Sequence, residues 1–363
     1  MQDRAIVLTE IPAAVQQQLR AFFDEREAEV KAIGAPVVDA VGHLERFVLG
    51  GGKRIRPMYG WAGFVGGGGL ELGAEDPGAV LRAISALELI QACALIHDDI
   101  IDASDTRRGH PTVHRAVEAD HRRLGYRGNA AAFGQHTAIL IGDLALTWSE
   151  DMWRGSGVSP AALARAESAW RGMRTEVIGG QLLDIMLEAE GSESIDMAER
   201  VNRFKTAAYT IERPLHLGAS LAGAGPDVID AFRGYGRDIG LAFQLRDDLL
   251  GVFGDPAITG KPAGDDIREG KRTILFAEAL LLLDASGDPA AGTLREGIGT
   301  AAEPRELDKL AGIIERSGAV EKVEARIAEL TESGIAHLER APISEDVADS
   351  LRELATRATA RRM

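Results

Sequence analysis

The chain has 363 residues, a formal net charge of −15 at pH 7 and 45% hydrophobic residues. The negative charge argues against a nucleic-acid-binding protein, which needs a basic face to neutralise phosphates. Aromatic residues make up only 5%, while Ala, Leu, Ile, Arg and Glu dominate, so the composition favours helix over strand.

Cysteine usage and hydropathy predict where the protein works. The single cysteine, Cys93, allows no disulfide within the chain, which fits a reducing cytoplasm. Residues 1–18 lack the basic-then-apolar order of a signal peptide. Arg82 and Glu88 interrupt the most apolar run, so no segment reaches the roughly 18 uncharged apolar residues of a transmembrane helix. We therefore expect a cytoplasmic protein with no transmembrane segment.

Apolar residues recur at helical spacing along most of the chain. One long helix is marked by Ile84, Leu87, Ile90, Ala94 and Ile101, and the next by Ile139, Leu146 and Trp153. Further helices are predicted over residues 161–190, 205–223, 226–250, 269–284 and 319–339, with a peripheral helix after about Ala341. Gly- and Pro-containing breaks separate these segments, and no alternating stretch indicates a strand.

The segment 115–136 lacks this regularity and is predicted to be an irregular surface insertion. No linker divides the chain elsewhere. The sequence therefore predicts a single all-α domain over residues 1–363, a helical bundle with its core at about residues 40–335 and peripheral helices at both ends.

The first acidic cluster lies at the end of the long helix, in the stretch LIHDDIIDASD (95–105). Asp98 and Asp102 are four residues apart and project from one helical face, with Asp99 beside them. Like charges at this spacing repel, but clustered carboxylates suit hard divalent cations such as Mg²⁺. A solvated acidic helix end is the alternative at this point.

A second cluster, Asp247 and Asp248, lies on an otherwise apolar helix with Phe243, Leu249 and Leu250. Charges in such a segment are costly unless they are paired or bind a metal. Two aspartate pairs on two apolar helices suggest a shared metal-containing cavity.

Basic residues accompany both clusters. They occur in GGGKRIRP (50–57), in TRRG (106–109), at Lys205–Thr206, at Lys261 and at Lys271–Thr273. Arginine pairs with phosphate oxygens through its planar fork and lysine as a point charge. A P-loop is rejected, because neither Lys53 nor Lys261 is followed by Ser or Thr and no strand precedes either.

Several linked motifs resemble the trans-isoprenyl diphosphate synthases, the polyprenyl synthetase family. They are GGKRIRP (51–57), LIHDDIIDASDTRRGHPTVH (95–114), KT (205–206) and FQLRDDLLGVFGDPAITGKPAGDDIREGKRT (243–273). The resemblance covers roughly residues 40–335. It implies an all-α isoprenoid synthase fold around a central prenyl-diphosphate cavity, and a homodimer. The substrates it implies are isopentenyl diphosphate and C5 to C15 allylic diphosphates.

The resemblance also implies a role for each matching residue. Three aspartates, Asp98, Asp102 and Asp247, would hold Mg²⁺ ions, and three such ions would be present when diphosphate is bound. Asp99 and Asp248 would be supporting or direct ligands. Arg107 would contact the allylic diphosphate, over which three lysines would close: Lys205, Lys261 and Lys271. The isopentenyl diphosphate pocket would contain Lys53, Arg56 and Arg108, with Gln91 where relatives carry His or Gln. Thr206 and Gln244 would line the reacting ends.

Two features depart from the family pattern. The second motif reads DDLLG, so Gly251 stands where many members have a third aspartate, which puts one metal ligand in doubt. The insertion at 115–136 is longer than usual and has no assigned role.

Product length is predicted from Cys93 and Ala94, which lie one helical turn before the first acidic cluster. In the family, bulky aromatic residues here stop chain growth early. Two small residues predict a C20 product, geranylgeranyl diphosphate, with longer polyprenyl or C15 farnesyl products as alternatives. Small residues could also serve close helix packing.

Three other functions share parts of this pattern. A terpene cyclase shares the first acidic cluster but would not need Lys53, Arg56 and Arg108. A regulatory subunit of a heteromeric synthase would be expected to lose one cluster or its basic partners, and this chain keeps both. A di-iron bundle would use the ExxH pattern of Glu118 and His121, but that fold needs two such motifs.

Overall fold

The computed structural model describes residues 8–73, 75–255 and 263–360, and almost all of them are helical. The α-helices are α1 (Ile11–Ile33), α2 (Ala35–Leu49), α3 (Ile55–Gly66), α4 (Gly69–Leu72), α5 (Pro77–Ile101), α6 (Val113–Arg123), α7 (Ala130–Arg154), α8 (Pro160–Ala189), α9 (Ile195–Val201), α10 (Arg213–Ala222), α11 (Pro226–Phe253), α12 (Asp265–Glu269), α13 (Ile274–Ser286), α14 (Ala290–Gly297), α15 (Pro304–Arg316), α16 (Ala319–Glu339) and α17 (Glu345–Thr359). A π-helical segment covers Asn202–Glu212. The prediction of an all-α fold is confirmed.

A two-residue hairpin is the exception to the helical pattern within the described part of the chain. Strand β1 (Thr106–Arg107) pairs antiparallel with β2 (His110–Pro111). Strands of two residues are too short to show an alternating pattern, so the sequence does not predict them.

The described residues fall into two compact units. The first takes its residues from Met1–Arg174, Arg213–Asp230 and Pro342–Val347. The second takes its residues from Thr175–Glu212, Ala231–Ala341 and Ala348–Met363. The prediction of one domain over the whole chain stays a prediction.

Helix α5 is a core helix of the first unit. Its N-cap, Asp76, accepts a hydrogen bond from the Gly78 amide at 2.7 Å, and Pro77 follows at a position where proline fits a helix start. Apolar side chains on all its faces are buried, Ile84 and Leu89 completely. The first acidic cluster is therefore held at the end of a helix that the core fixes.

The same helix passes a simple test for a membrane span. It has 25 residues, and its most apolar 18-residue window has a mean hydropathy of 1.8. Of that window, 72% is buried inside the protein. No other helix in the described residues is long and apolar enough. A core helix meets the same criterion, and the burial of this one accounts for its composition.

The second unit has a core of aliphatic side chains that anchors α11. Leu245, Leu249 and Val252 of α11 pack in one cluster with Leu275 and Leu280 of α13. These three residues of α11 recur at helical spacing and fix the rotation of the helix. Asp247 and Asp248, which lie among them in sequence, are thereby set in one orientation.

The π-helical segment replaces part of a predicted α-helix. The sequence predicts a helix over residues 205–223, whereas the structure has π-helix to Glu212 and α10 from Arg213. Gly180 of α8 allows this segment to approach closely, because an added Cβ there would collide with the backbone of Lys205. π-Helical turns are rare and are frequent at functional sites, and this one carries Lys205 and Thr206.

The prediction of an irregular insertion at 115–136 is wrong. Helix α6 covers its first half, and α7 begins at Ala130. Val117, Glu118 and His121 are buried, and Glu118 forms ion pairs with Arg115 and Arg122 at 2.8 and 2.5 Å. The dense charge of this segment hid its helical periodicity, because its charged side chains pair with each other within the helix.

Candidate active site

The first acidic cluster lies at the C-terminal end of helix α5. Asp98 and Asp102 are half-buried, whereas the side chain of Asp99 is only 1% exposed. The helix ends at Ile101, and Ala103 follows with a positive φ of 51°. The Ser104 amide then donates to the Asp99 carbonyl at 3.0 Å, so the chain turns sharply just after the cluster.

The hairpin after this turn brings an arginine back onto the cluster. Arg107 Nε donates to Asp99 Oδ1 at 2.7 Å, and its Nη2 donates to Asp98 Oδ2 at 3.3 Å. Thr112 connects the end of the hairpin to the turn before it, because its Oγ1 donates to the Ser104 carbonyl at 2.9 Å. Like charges in this cluster repel, and the hairpin supplies a neutralising group in Arg107.

A group of arginines lies next to the first acidic cluster. Arg108, with a φ of 54° in the hairpin turn, donates from Nη1 to the Gly51 carbonyl at 2.9 Å. Its pKa is lowered, first because neighbouring protein removes part of its hydration and then because Arg107, Arg54 and Arg56 add positive charge nearby. Such a concentration of guanidinium groups favours an anion.

The members of this group differ in their burial. Arg54 is buried and pairs with the buried Glu88 at 2.5 Å, which gives it a structural role. Arg56 is also buried, while Lys53 is exposed and Gln91 is half-buried. The structure thus places Arg108 beside the GGKRIRP segment, as the predicted isopentenyl diphosphate pocket requires.

The two residues predicted to control chain length lie on α5. Cys93 is buried and its Sγ is 3.7 Å from Nδ1 of His97, while Ala94 is half-buried. Burial, and then the charge of Asp143, raise the pKa of the Cys93 thiol to about 12. The thiol therefore stays protonated and acts as a small apolar side chain.

The second acidic cluster, in the second unit, pairs an accessible carboxylate with a buried one. Asp247 is half-buried, whereas Asp248 is buried and accepts hydrogen bonds on both oxygens. Gln244 Nε2 donates to its Oδ1 at 2.7 Å, and Asn202 Nδ2 donates to its Oδ2 at 3.2 Å. Burial raises the pKa of Asp248 to about 7, with smaller contributions from the charges of Asp266 and Asp247.

The lysines of the second unit are held by carboxylates. Lys205 Nζ lies 2.5 Å from Asp184 Oδ2. Lys271 Nζ lies 2.8 Å from Glu269 Oε2 and 3.7 Å from Asp266 Oδ1. Thr206 is half-buried on the π-helical segment. Lys261, the third predicted lysine, lies outside the described residues.

Sequence reasoning missed three residues of these networks: Asp184, Asn202 and Asp266. Asp184 and Asn202 are single polar residues whose partners are distant in sequence. Asp266 belongs to the acidic run GDDIRE, which looks like a solvated helix start. The available signal for Asp184 was its place in the apolar stretch QLLDIML, where a charge needs a partner.

The donor set fits magnesium, which the family resemblance implies. Within the described residues, no three His, Cys, Asp or Glu side chains form a group that could hold a metal on their own. Mg²⁺ usually binds one or two carboxylates and completes its shell with waters and substrate phosphates. Asp98 and Asp102, one helical turn apart and half-buried, and Asp247 suit that kind of binding.

Carboxylate pairs that could hold Mg²⁺, together with arginines and lysines, are the groups that binding of a diphosphate requires. A family model described as Polyprenyl synthetase matches residues 41–313, and the chain belongs to this family. The chain is thus a prenyltransferase. The resemblance found in the sequence motifs is confirmed.

Similar proteins carry several product names. A geranylfarnesyl diphosphate synthase of Aeropyrum pernix is 33% identical over 284 residues, which are 77% of this chain and 80% of that one. A (2E,6E)-farnesyl diphosphate synthase of Mycobacterium tuberculosis is 32% identical over 308 residues, 84% of this chain and 78% of that one.

A solved structure resembles the chain more closely still. The geranylgeranyl pyrophosphate synthase of Corynebacterium glutamicum, complexed with isoprenyl diphosphate and magnesium, is 59% identical. It aligns with a TM-score of 0.96 over 98% of this chain and all of that one.

Proposed function

We propose that the protein condenses isopentenyl diphosphate head to tail with an allylic diphosphate, in a magnesium-dependent reaction that yields geranylgeranyl diphosphate. The observation that carries this proposal is the bonding of Arg107 to Asp98 and Asp99, with Arg108 beside the GGKRIRP segment. Two neighbouring arginines of one hairpin therefore serve both parts of the proposed site. Arg107 contacts the carboxylates for a metal-bound diphosphate, and Arg108 lies in the basic pocket for a second diphosphate.

The residues divide into ligands and positioning groups. Asp98, Asp102 and Asp247, the accessible carboxylates, would hold magnesium. Asp99 and Asp248 are buried and engaged by other side chains, which supports positioning roles: Asp99 orients Arg107, and Asp248 is oriented by Gln244 and Asn202. The burial of each cluster's second aspartate supports this division of roles, which the motif alone left open.

The reaction begins with cleavage of the allylic carbon–oxygen bond, which leaves diphosphate and an allylic carbocation. Bound Mg²⁺ would supply Lewis-acid stabilisation of the departing diphosphate. Arg107 would add hydrogen bonds and positive charge to that leaving group, and the family resemblance implies the same role for Lys205 and Lys271. Lys53, Arg56 and Arg108 orient isopentenyl diphosphate, whose double bond attacks the cation. The new bond forms, and one proton is lost to the released diphosphate.

Turnover assays on matched variants test this function. Release of inorganic diphosphate should require isopentenyl diphosphate, an allylic diphosphate and Mg²⁺ together. We expect Asp247→Asn and Arg107→Gln to lower kcat/KM by about 10²-fold or more, as the loss of one group that stabilises transition-state charge does. Asp105→Asn is the control, because Asp105 is 76% exposed and bonds Arg115 instead. Turnover without isopentenyl diphosphate would favour a terpene cyclase, and binding without turnover a regulatory subunit.

The C20 product is proposed on two grounds. The small side chains of Cys93 and Ala94 remove the obstacle that would end growth at C10 or C15. The 59% identical protein from Corynebacterium glutamicum is a geranylgeranyl pyrophosphate synthase. Other relatives are named for farnesyl and geranylfarnesyl products, so sizing of the product decides the chain length.

A homodimer is also proposed. Family resemblance implies it, and helix α7 exposes large apolar side chains: Phe133 is 40%, Ile139 42% and Leu140 67% exposed. We expect Leu140→Glu to halve the mass measured by light scattering, while Leu72→Glu, at an equally exposed leucine of the same unit, leaves it unchanged. A monomeric wild-type protein would contradict the proposal. A cytoplasmic location stays a proposal that rests on the single cysteine.

A further inference from the structure

We propose that Gln16 of helix α1 is a positioning residue for isopentenyl diphosphate, because its side-chain amide holds both ends of the loop that carries Lys53. This glycine loop is Gly50–Lys53, between α2 and α3. Helix α1 lies outside residues 41–313, the part of the chain that the family model matches. The inference rests on the proposed function and gives α1 a part in the binding of one of the two substrates.

The glycine loop has few side chains of its own that could fix its conformation. Three of its four residues are glycines, and Gly51 and Gly52 have φ angles of 117° and 135°, which other residues rarely adopt. Its last residue, Lys53, is exposed. Bonds from other parts of the protein therefore have to fix the loop.

Gln16 contacts both ends of the glycine loop with one side chain. Its Nε2 donates to the carbonyl of Leu49, just before the loop, at 3.0 Å. Its Oε1 accepts a hydrogen bond from Nη2 of Arg54, just after the loop, at 2.5 Å. A primary amide donates and accepts at the same time, so one glutamine supplies both bonds. Together they set the positions of the two residues that flank the loop.

Arg54 is held by other partners too, which makes it a firm attachment for the end of the loop. Its Nη1 donates to Oε2 of Glu88 on α5 at 2.5 Å, and its Nη2 also donates to the carbonyl of Val48 on α2 at 2.7 Å. The side chains of Arg54 and Glu88 are only 4% and 3% exposed. Gln16 therefore joins α1 to a buried junction between α2, α3 and α5.

Helix α1 is anchored on both sides of Gln16. Val15 and Leu19 are completely buried, and Phe22 packs edge to face against Trp148 of α7, with ring centroids 5.8 Å apart. This packing fixes the rotation of α1 and directs Gln16 towards the loop.

Two groups of the predicted isopentenyl diphosphate pocket depend on the glycine loop. Lys53 is part of it, and the carbonyl of Gly51 accepts a hydrogen bond from Nη1 of Arg108 at 2.9 Å. An added Cβ at Gly52 would lie 3.2 Å from the same nitrogen, so the guanidinium of Arg108 lies against the loop. A shift of the loop would displace both cationic groups together.

The allylic diphosphate has a different support. Arg107, which is expected to bind it, is held by Asp99 and Asp98 of α5. Loss of the Gln16 bonds should therefore weaken the binding of isopentenyl diphosphate and change that of the allylic diphosphate little. An interaction that is equally strong in the ground state and the transition state changes KM and leaves kcat unchanged.

Steady-state kinetics with each substrate varied in turn test the inference. Gln16→Met keeps the length of the side chain and removes both hydrogen bonds. We expect it to raise KM for isopentenyl diphosphate about tenfold, while kcat and KM for the allylic diphosphate stay close to the wild-type values. Gln17→Met, at the exposed neighbouring residue, is the matched control and should behave as wild type.

A second variant separates the two bonds of Gln16. Gln16→Glu keeps the acceptor for Arg54 and loses the donor to Leu49, so it should raise KM for isopentenyl diphosphate by less than Gln16→Met does. Circular dichroism and Tm check the folding of each variant. If Gln16→Met does not fold, Gln16→Glu decides, and an unchanged KM for isopentenyl diphosphate in that variant would overturn the inference.

The possible failures can be distinguished. If Gln16→Met leaves KM for isopentenyl diphosphate unchanged while Arg108→Gln raises it, the inference fails and the proposed function stands. If Gln16→Met raises KM for both substrates in the same proportion, the substitution acts through general destabilisation and the inference also fails. If the wild-type protein elongates no allylic diphosphate, the proposed function itself fails.

Discussion

Arg107 Nε donates to Asp99 Oδ1 at 2.7 Å, and this bond joins a nearly inaccessible carboxylate to the hairpin that follows helix α5. The adjacent Asp98 receives a longer bond from the same guanidinium, at 3.3 Å, and is the more accessible carboxylate. The arginine is therefore held by Asp99 and shared with Asp98. Binding of a metal at Asp98 would compete with only the weaker of the two bonds.

This relationship predicts that Asp99→Asn loosens Arg107 and leaves the helix intact. The charge-assisted hydrogen bond is worth about 1.5–3 kcal/mol, which corresponds to a loss of roughly 10-fold to 100-fold in kcat/KM if it is needed to orient Arg107. In protein that already carries Arg107→Gln, Asp99→Asn should lower kcat/KM little further. Additive losses in the double variant would show that Asp99 acts independently of Arg107.

The sequence predicted the acidic and basic motifs of this site but not the bonds among them. Asp98 and Asp99 lie in the last turn of α5 and Asp102 directly follows it, so their proximity followed from helical spacing. The contact from Arg107 depends on a turn with a positive φ at Ala103 and on a two-residue hairpin, which leave no periodic signal. The partners of Asp248 and Lys205 depend on tertiary packing and on a π-helical segment, and could not be predicted for the same reason.

The buried pair of Arg54 and Glu88 should contribute strongly to stability. Both side chains are nearly inaccessible, and their charged atoms lie 2.5 Å apart. Glu88→Ala leaves the arginine buried without its carboxylate, which costs about 3–5 kcal/mol in the free energy of unfolding. Arg82 and Glu25 form a more exposed pair, and Glu25→Ala should cost about 0–1 kcal/mol. Denaturant unfolding measures both, and equal losses would show that burial does not decide the effect.

Stability at mildly acidic pH should depend on His114. This side chain is buried, its Nδ1 lies 3.2 Å from Oγ1 of Thr112, and loss of hydration together with Arg115 lowers its pKa. Because the folded state binds the proton less readily than the unfolded state, stability falls as the pH drops below about 6.5, the ordinary pKa of histidine.

Comparison of two histidine variants tests this prediction. Wild-type protein should lose more of its free energy of unfolding between pH 7.5 and pH 5.5 than His114→Gln does. His110→Gln, at an exposed histidine of the hairpin, should follow the wild type. An identical pH dependence in all three proteins would exclude His114 as a source of the acid sensitivity.

Substitution of Cys93 should change product length without removing activity. A phenylalanine at this buried position, one turn before the acidic cluster, would obstruct the growing chain. We expect Cys93→Phe to shift the main product from C20 to C15, while Cys93→Ser, which keeps the size of the side chain, retains C20. An unchanged product from the phenylalanine variant would mean that the chain does not grow past Cys93.

The most direct test of the account is to size the product that the purified protein makes from labelled isopentenyl diphosphate. Reactions would contain Mg²⁺ and one allylic primer each, of C5, C10 or C15, and the products would be dephosphorylated and separated by chromatography. Asp98→Ala and Asp247→Ala serve as controls. We expect a C20 product from the wild-type protein and none from either variant. A wild-type protein that elongates no primer, or variants that keep full activity, would contradict it.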